Sequence, residues 1–515
     1  MVLRKVKIDF AALRSSSTKL VWFIIAYGIL LRLTQYLSNS SLWLDESRLA
    51  LNIVNRSFSQ LLQPLDYGQS APLGFLILEK AAVRLLGSSE YALRFLPLLC
   101  GVVSLLLFYR LAAQSISPKA VPIALGLFAL SGPLIYYSSE VKQYSSDVAA
   151  AVLLLCAAIC FESWKVSGWG VAAFGLFGAA SIWFSHPSAF VLAGIGMSLA
   201  LFRVTDKCWP RFVGLLVVIS LWAISLGCCY VVSLHQFSND KGLLNYWTFG
   251  FVPSPLLSLV TAKWFIDTFF GIFWNPTGLE LSGIAALCFL VGCRAMFSKK
   301  AEKFFILISP LIPTLIAAGL HKYPFAGRLV LFIVPSLLLF IAEGAEQIWS
   351  KTRDRAPIIG TCVIGLLFLQ PLLFSTYHLI KPSAGELPPG IAHTREEIKP
   401  VMKYIENHLH EEDVLYVYVG AAPAFRYYAP RFYLNNVNLI YGSSDKLEDY
   451  ENDVSQLRGH RRVWLLFSHI EAKTGLNKED LVVYFANKGA TRLDCFQSEG
   501  AAAYLYDFEQ PNGAR

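Results

Sequence analysis

Charge is scarce in this 515-residue sequence: Asp, Glu, Lys and Arg make up 16% of it, against roughly 25% in an average soluble protein. Hydrophobic residues make up 55% and the mean hydropathy is +0.49, which excludes a soluble globular chain. The ten cysteines include no CxxC pair and no His partner at metal-ligand spacing. All but Cys495 fall in apolar stretches or in loops assigned below to the cytoplasm, so neither a disulfide framework nor a zinc site is indicated. No internal repeat and no phosphate-cradling glycine motif is present. The formal charge of +8 sits in lipid-soluble sequence, where Lys and Arg set orientation, so nucleic acid is not an expected partner.

What is present divides in two. Of 44 basic and 36 acidic residues, 15 and 19 lie in Lys381 to Arg515, leaving 29 and 17 for the first 380 residues. A long apolar, basic part therefore precedes a short polar, acidic one, and the Pro/Gly stretch Pro382 to Gly390 marks the expected boundary between domains 1–380 and 381–515. Apolar runs of about 18 to 20 residues give about eleven candidate spans: Leu20–Leu37, Tyr91–Tyr109, Ala120–Ser138, Tyr144–Ser163, Gly168–Ser185, Ser188–Phe202, Phe212–Leu234, Leu279–Phe297, Phe304–Leu320, Leu329–Trp349 and Ile358–Leu379. The first follows Arg4, Lys5, Lys7, Arg14 and Lys19 and is expected to be an uncleaved anchor, being too long for a typical signal-peptide core and followed by no A-x-A-like site.

Two further segments, Pro72–Leu86 and Leu256–Trp274, are short or interrupted by charge. If neither crosses, every basic cluster before, between and after the spans falls on one side: Arg4 to Lys19, Arg110/Lys119, Arg203/Lys207/Arg211, Arg294 to Lys303 and Lys351 to Arg355. The positive-inside rule makes that side the cytoplasm, and the two segments become interfacial helices. The expected fold is thus an α-helical polytopic membrane protein with a small C-terminal α/β extracytoplasmic domain. In that domain Arg395–His410, Lys446–Leu457 and Asn477–Lys488 have helical patterning, and Val414–Val419, Val463–Phe467 and Tyr504–Phe508 that of strands.

The informative residues are acids on the outer side. Asp45 and Glu46 end Ser-Leu-Trp-Leu-Asp-Glu directly after the first span; by position alone they are equally well a solvated helix start. Glu140 and Lys142 lie in Tyr-Tyr-Ser-Ser-Glu-Val-Lys-Gln-Tyr at the outer end of the third span, where a local ion pair is the plain reading. His186-Pro187 has the look of a capped turn, Gln143 and Asp147 that of span-end polarity, and Tyr246-Trp247-Thr248-Phe249 suits an interfacial belt as well as a sugar or lipid groove.

Taken in order, the acidic pair, the Gln69 to Leu73 segment, Gly87-x-Ser89-Glu90-x-Ala92-Leu93-Arg94 and Tyr137-Ser138-x-Glu140-x-Lys142-x-Tyr144 resemble the C-type (GT-C) membrane glycosyltransferases, in particular bacterial members related to protein mannosyltransferases and aminoarabinose transferases. The resemblance covers the first 150 residues, with His321-Lys322-Tyr323-Pro324-Phe325 to Arg328 as a further local match. Two positions depart from it: Ser70-Ala71-Pro72 stands where many relatives have His-Pro-Pro, and Lys142 where Arg is common. The resemblance implies a bacterial inner-membrane enzyme that moves a sugar, with inversion, from a polyprenyl-phosphate donor to a lipid, glycan or protein acceptor on the outer face. Asp45 matches the position of the general base. Lys142, Lys322 and Arg328, with Tyr144, are candidates for meeting the leaving phosphate. Glu46 adjoins Asp45, so one of the two is expected to point into a cleft. Three roles are open to Glu140: orienting the acceptor, pairing with Lys142, or binding a divalent cation. No other cofactor is indicated. The alternative from another class is a transporter or flippase of a lipid-linked glycan, which would more usually carry ionisable groups at the bilayer midplane and internal repeats.

Overall fold

The structure, a computed structural model, describes residues 16–162, 168–205, 209–235, 245–380, 396–443, 450–470, 484 and 490–509. Arg4, Lys5, Lys7, Arg14, Lys207, Pro382–Gly390, Arg395 and, apart from Tyr484, the expected helix Asn477–Lys488 lie outside the described residues. Among the described residues, eight helices are long and apolar enough to cross a membrane. Among them are α1 (Ser16–Leu37), which Leu44–Asn55 (α2) and Leu73–Leu86 (α3) separate from α4 (Glu90–Ser115).

A further apolar pair is broken: α5 (Val121–Leu130) and α6 (Gly132–Tyr136) belong to a pair bent by 58°. Pro133 causes the break, because it offers no N–H to the carbonyl of Ala129 four residues back. Arg32 of α1 supplies the donor instead. Fully buried, its guanidinium donates to the carbonyl oxygens of Ala129 (3.3 Å) and Phe128 (3.4 Å).

Two of the eleven expected spans, Gly168–Ser185 and Ser188–Phe202, are shorter apolar helices over the described residues. The first has 17 described residues, about 25 Å at 1.5 Å per residue against a core of about 30 Å, and both adjoin residues outside the described ones. The two charge-interrupted segments fold as helices of 14 residues (α3) and 16 residues (Leu259–Trp274), and neither is long enough to be a candidate span.

The helix Val334–Thr352 runs through the middle of the bundle, with 94% of its apolar window buried. It crosses Ser282–Lys299 with the two backbones in contact: a Cβ on Gly344 would sit 1.8 Å from the Cys288 carbonyl oxygen, and one on Gly292 1.9 Å from that of Phe340. In lipid, where apolar surface gains little by pairing with apolar surface, such small-residue crossings hold helices together by close packing.

The C-terminal unit is a five-stranded sheet in the order β2-β1-β3-β5-β4. Strands β1 (Val414–Val417), β2 (Asn438–Tyr441) and β3 (Val463–Phe467) are parallel, while β4 (Thr491–Ser498) and β5 (Ala501–Asp507) run antiparallel. The three inner strands are buried and apolar, which is why the sequence revealed them. Edge strand β4 is largely exposed and mostly polar, and β2 is four residues long and only half-buried; neither carried such a signal.

This domain packs onto the segment after α1. Leu42, Leu49, Phe75 and Val141 share one hydrophobic cluster with Ile398, Phe425 and Tyr428. At its rim Glu90 pairs with Lys399 at 3.1 Å and with Arg431 at 2.5 Å. The Leu42 N–H donates to the Tyr428 hydroxyl at 2.9 Å.

The crossing at Gly344 has a direct test. Gly344→Leu should destabilise the bundle by roughly 1–3 kcal/mol through overpacking, read as a lower Tm in detergent. Gly283→Leu, on the same partner helix but at a position where an added Cβ would meet nothing within 4 Å, should leave Tm unchanged. Equal shifts for both would show that the crossing is not tight.

Candidate active site

The site begins where α1 ends. After Asn39, at φ 44°, the chain turns into α2 under a capping box: the Trp43 N–H donates to Glu46 Oε2 at 3.0 Å. Asp45 and Glu46 occupy the first turn, and neighbouring helical side chains diverge by about 100°. Glu46 turns inward. Arg94 of α4 grips its two oxygens at 2.9–3.1 Å, and the Val141 N–H adds a bond of 2.8 Å. Both side chains are almost fully buried. Arg94 Nη1 reaches on to the Ser40 carbonyl at 2.8 Å. Asp45 turns the other way, to Arg328 Nη2 at 2.5 Å, and remains one-fifth exposed (20%).

Glu140 and Lys142 follow the broken pair and a single 3₁₀ turn, Tyr137–Ser139. Both are buried. Lys142 Nζ donates to Gln69 Oε1 at 2.6 Å, whereas neither carboxylate oxygen of Glu140 has a hydrogen-bond partner among the described residues. Arg328 enters from a 3₁₀ segment, Gly327–Ile333, that opens on Gly327 at φ +46°, a conformation glycine adopts without strain. Its guanidinium carbon lies 5.5 Å from the ring centre of Tyr144 and 5.8 Å from that of Trp247, within cation–π range. Its Nε and Nη1 are buried without a partner among the described residues. The structure thus brings together Asp45, Glu140, Lys142, Tyr144 and Arg328, with Glu46 immediately behind them.

The electrostatics separate the two carboxylates. Burial alone would raise Asp45, but Lys142 and Arg328 outweigh it and hold the group well below the usual carboxylate range. Glu140 is pushed up to about 8 by burial and by the Glu46 carboxylate, against the pull of Arg328 and Lys142. Lys142 is drawn down by burial, against the opposing effect of Asp45 and with Arg328 adding to the fall. Below about pH 8, then, Glu140 is neutral and one ionised carboxylate, Asp45, faces two basic side chains. Such a site favours an additional anion. Among the described residues, no group of three or more His, Cys, Asp or Glu side chains is arranged to hold a metal ion.

Lys322 stands apart. It is exposed in the turn before Arg328, and none of the contacts that build the cluster involves it. That turn is pinned by its neighbour His321, at φ 55°, stacked on Phe251 at 5.0 Å with Nε2 3.1 Å from the Val252 carbonyl oxygen.

Three residues of the site region carried no role in the sequence. Gln69 and Arg94 lay inside recognised motifs, but their partners could not be read from spacing. His469 left no sequence signal at all. It comes from the C-terminal domain, at φ 57°, with its ring 6.3 Å from Trp43. The Ser468 hydroxyl donates to Glu396 Oε2 at 3.0 Å, so His469 Nδ1 must give its own proton to Ser468 Oγ at 2.8 Å. Its Nε2 is then a bare acceptor, buried and unpartnered among the described residues. Burial, with Arg48 adding, drives the imidazole down to about 3, which keeps it neutral.

No family model matches the sequence, and no curated protein matches it either. Solved structures do. ArnT from Cupriavidus metallidurans bound to undecaprenyl phosphate superposes with a TM-score of 0.54 at 11% identity, covering 94% of this chain and 98% of that one. The same protein in the apo state gives a TM-score of 0.52 at 12% identity, over 96% of this chain and 98% of that one. Identity this low speaks to architecture, and over nearly its whole length the chain has the fold of the C-type membrane glycosyltransferases.

Proposed function

We propose that this protein is an inverting glycosyltransferase of a bacterial inner membrane, taking a sugar from a polyprenyl phosphate and giving it to a lipid, glycan or protein acceptor on the outer face. In this reading the N-terminus is cytoplasmic, residues 1–380 carry catalysis, and the domain from 381 onward is extracytoplasmic. One observation carries it: Arg328 presents two buried donors, Nε and Nη1, unpartnered among the described residues, beside Lys142 at the end of an apolar bundle. A phosphate on a membrane-embedded tail supplies the acceptors those donors need. That the structurally similar ArnT is bound to undecaprenyl phosphate supports the same ligand class here.

The ion pair suggests how binding and chemistry are linked. Asp45 is a weak base while Arg328 holds it. A phosphate that engages Arg328 competes with Asp45, loosens the pair and restores proton affinity to the carboxylate. The acceptor hydroxyl oxygen then attacks the anomeric carbon, the bond from that carbon to the phosphate oxygen breaks with its electron pair staying on phosphate, and the hydroxyl proton passes to Asp45. Arg328 and Lys142 meet the growing phosphate charge. The Tyr144 ring, 5.5 Å from the guanidinium carbon, helps hold Arg328 in place.

Arg328→Ala should weaken binding of undecaprenyl phosphate to the purified protein by roughly 1.5–3 kcal/mol, about 10- to 150-fold, with Tm little changed. Arg328→Lys should restore little, since an ammonium cannot present two donors in a fixed plane. Unaltered binding in both variants would reject the phosphate site.

Asp45→Asn should lower turnover by about 10²–10⁴ while leaving undecaprenyl phosphate bound. Glu46→Gln should act on folding instead. It strips the charge from a buried pair and leaves Arg94 uncompensated, an effect of about 3–5 kcal/mol seen in Tm and yield. A fully active Asp45→Asn protein would remove the mechanism.

Glu140 sets a pH dependence. It is neutral below about 8 and ionises above that, placing a second negative charge beside the phosphate. Affinity for undecaprenyl phosphate should therefore fall as pH rises through about 8, and Glu140→Gln should flatten that limb. A wild-type profile level from about pH 6 to 9 would contradict this assignment.

A further inference from the structure

Native proteins leave few buried polar atoms without a hydrogen bond. Among the described residues several such atoms fall on two adjoining walls, with others elsewhere in the chain. The first is the cluster just described. The second begins three residues further along α7 (Tyr144–Glu162), where Asp147 lies on the same helical face as Tyr144. Asp147 Oδ1, His186 Nε2, Ser188 Oγ and Gln143 Oε1 are all buried with no partner among the described residues. Ser185 hydrogen-bonds the Asp147 side chain. The residue fractions are small: Ser185 is 0% exposed, Ser188 1% and Asp147 5%. Solvated polarity at the end of a span would be exposed, and polar residues that serve only to join helices would be paired across the interface. Beyond the single Asp147–Ser185 contact, these atoms are neither.

The chemistry of the two walls differs. The Arg328 and Lys142 end is rich in donors and takes phosphate oxygens. The Asp147 end has no cation: a carboxyl group, an amide oxygen, hydroxyls and an imidazole nitrogen, all able to accept a hydrogen bond. Burial pulls His186 down to about 4, so the ring adds no positive charge. The Tyr144 ring connects the ends, with Arg328 over its face at 5.5 Å. A glycosyl phosphate has the complementary polarity, with acceptor oxygens on phosphorus and hydroxyl donors around the ring.

We propose that Asp147, Ser185, His186 and Ser188, with Gln143, form the subsite that hydrogen-bonds the hydroxyl groups of the donor's glycosyl ring. The assignment rests on the polyprenyl-phosphate donor proposed above and adds where its sugar lies. It makes the turn between the helices Gly168–Phe184 and Ser188–Thr205 a specificity element, and Asp147 the residue that selects ring substituents.

The test measures binding to the full-length protein in nanodiscs, using undecaprenyl phosphate and a panel of undecaprenyl-phosphate hexoses and pentoses. At least one sugar-bearing lipid should bind about 10-fold or more tighter than the bare carrier, as expected of one or two additional net hydrogen bonds. Asp147→Asn and the milder Ser185→Ala should bring that lipid back toward the affinity of the bare carrier, while leaving undecaprenyl phosphate itself unchanged. The unchanged carrier affinity also reports that each variant is folded. Arg328→Ala should weaken both ligands together. Sugar preference that survives Asp147→Asn and Ser185→Ala, or a panel in which no sugar improves on the bare carrier, overturns the subsite and leaves the phosphate site standing. A wild-type protein that binds no undecaprenyl phosphate overturns the donor reading, and the subsite with it.

Discussion

The buried Glu46–Arg94 pair fixes everything else in the site. Its hydrogen bonds reach the N–H that caps α2, the Ser40 carbonyl in the turn out of α1, the first turn of α4, and the Val141 N–H between Glu140 and Lys142. A carboxylate and a guanidinium removed from water cost more than their attraction returns unless every remaining lone pair and proton is satisfied. This pair draws on backbone groups from two separate segments, Ser40 and Trp43 before α2 and Val141 beyond the third span. Asp45, Glu140 and Lys142 are then set in place as its immediate sequence neighbours, without needing one another for position.

That arrangement allows the second pair to be loose. Asp45 and Arg328 make one contact of 2.5 Å, and Arg328 keeps two donors without partners among the described residues. Its guanidinium is held by the rings of Tyr144 and Trp247 as much as by the carboxylate. Breaking this contact leaves α2 capped and the backbone of the site in place, so under the proposed function an incoming phosphate would displace one interaction and not a network. Adjacent residues of one helix thus serve opposite purposes, Glu46 as fixed scaffold and Asp45 as exchangeable partner, because a step of about 100° separates them.

That only one member of the acidic pair faces outward was legible in the sequence, since it follows from helical geometry alone. The apolar helices and the inner strands of the C-terminal sheet were legible for a similar reason: burial imposes a period or an apolar run on consecutive residues. Edge strands β2 and β4 escaped because exposure imposes no such pattern. Gln143 and Asp147 had the look of span-end polarity, and only the packing of α7 against the turn before Ser188 reveals that their polar atoms are buried. His469 was beyond reach, since its significance depends on tertiary docking against Trp43.

His469 also separates two boundaries that the sequence places together. Composition changes sharply after Ile380, and the expected domain border follows that change. Docking runs across it. The hydrophobic cluster of the C-terminal sheet continues into Leu42, Leu49 and Val141, and Glu90 at the start of α4 holds both Lys399 and Arg431. Through Glu396 and Ser468 the domain fixes the tautomer of His469, and so presents a neutral acceptor nitrogen beside the helix that carries Asp45. The membrane side of the site contributes cations suited to phosphate, while the domain contributes no added charge there, only shape and a lone pair. In the proposed reaction an acceptor hydroxyl arriving between them would meet a hydrogen-bond acceptor on the domain side and a carboxylate on the membrane side, which would make the domain one wall of the site rather than an appendage to it.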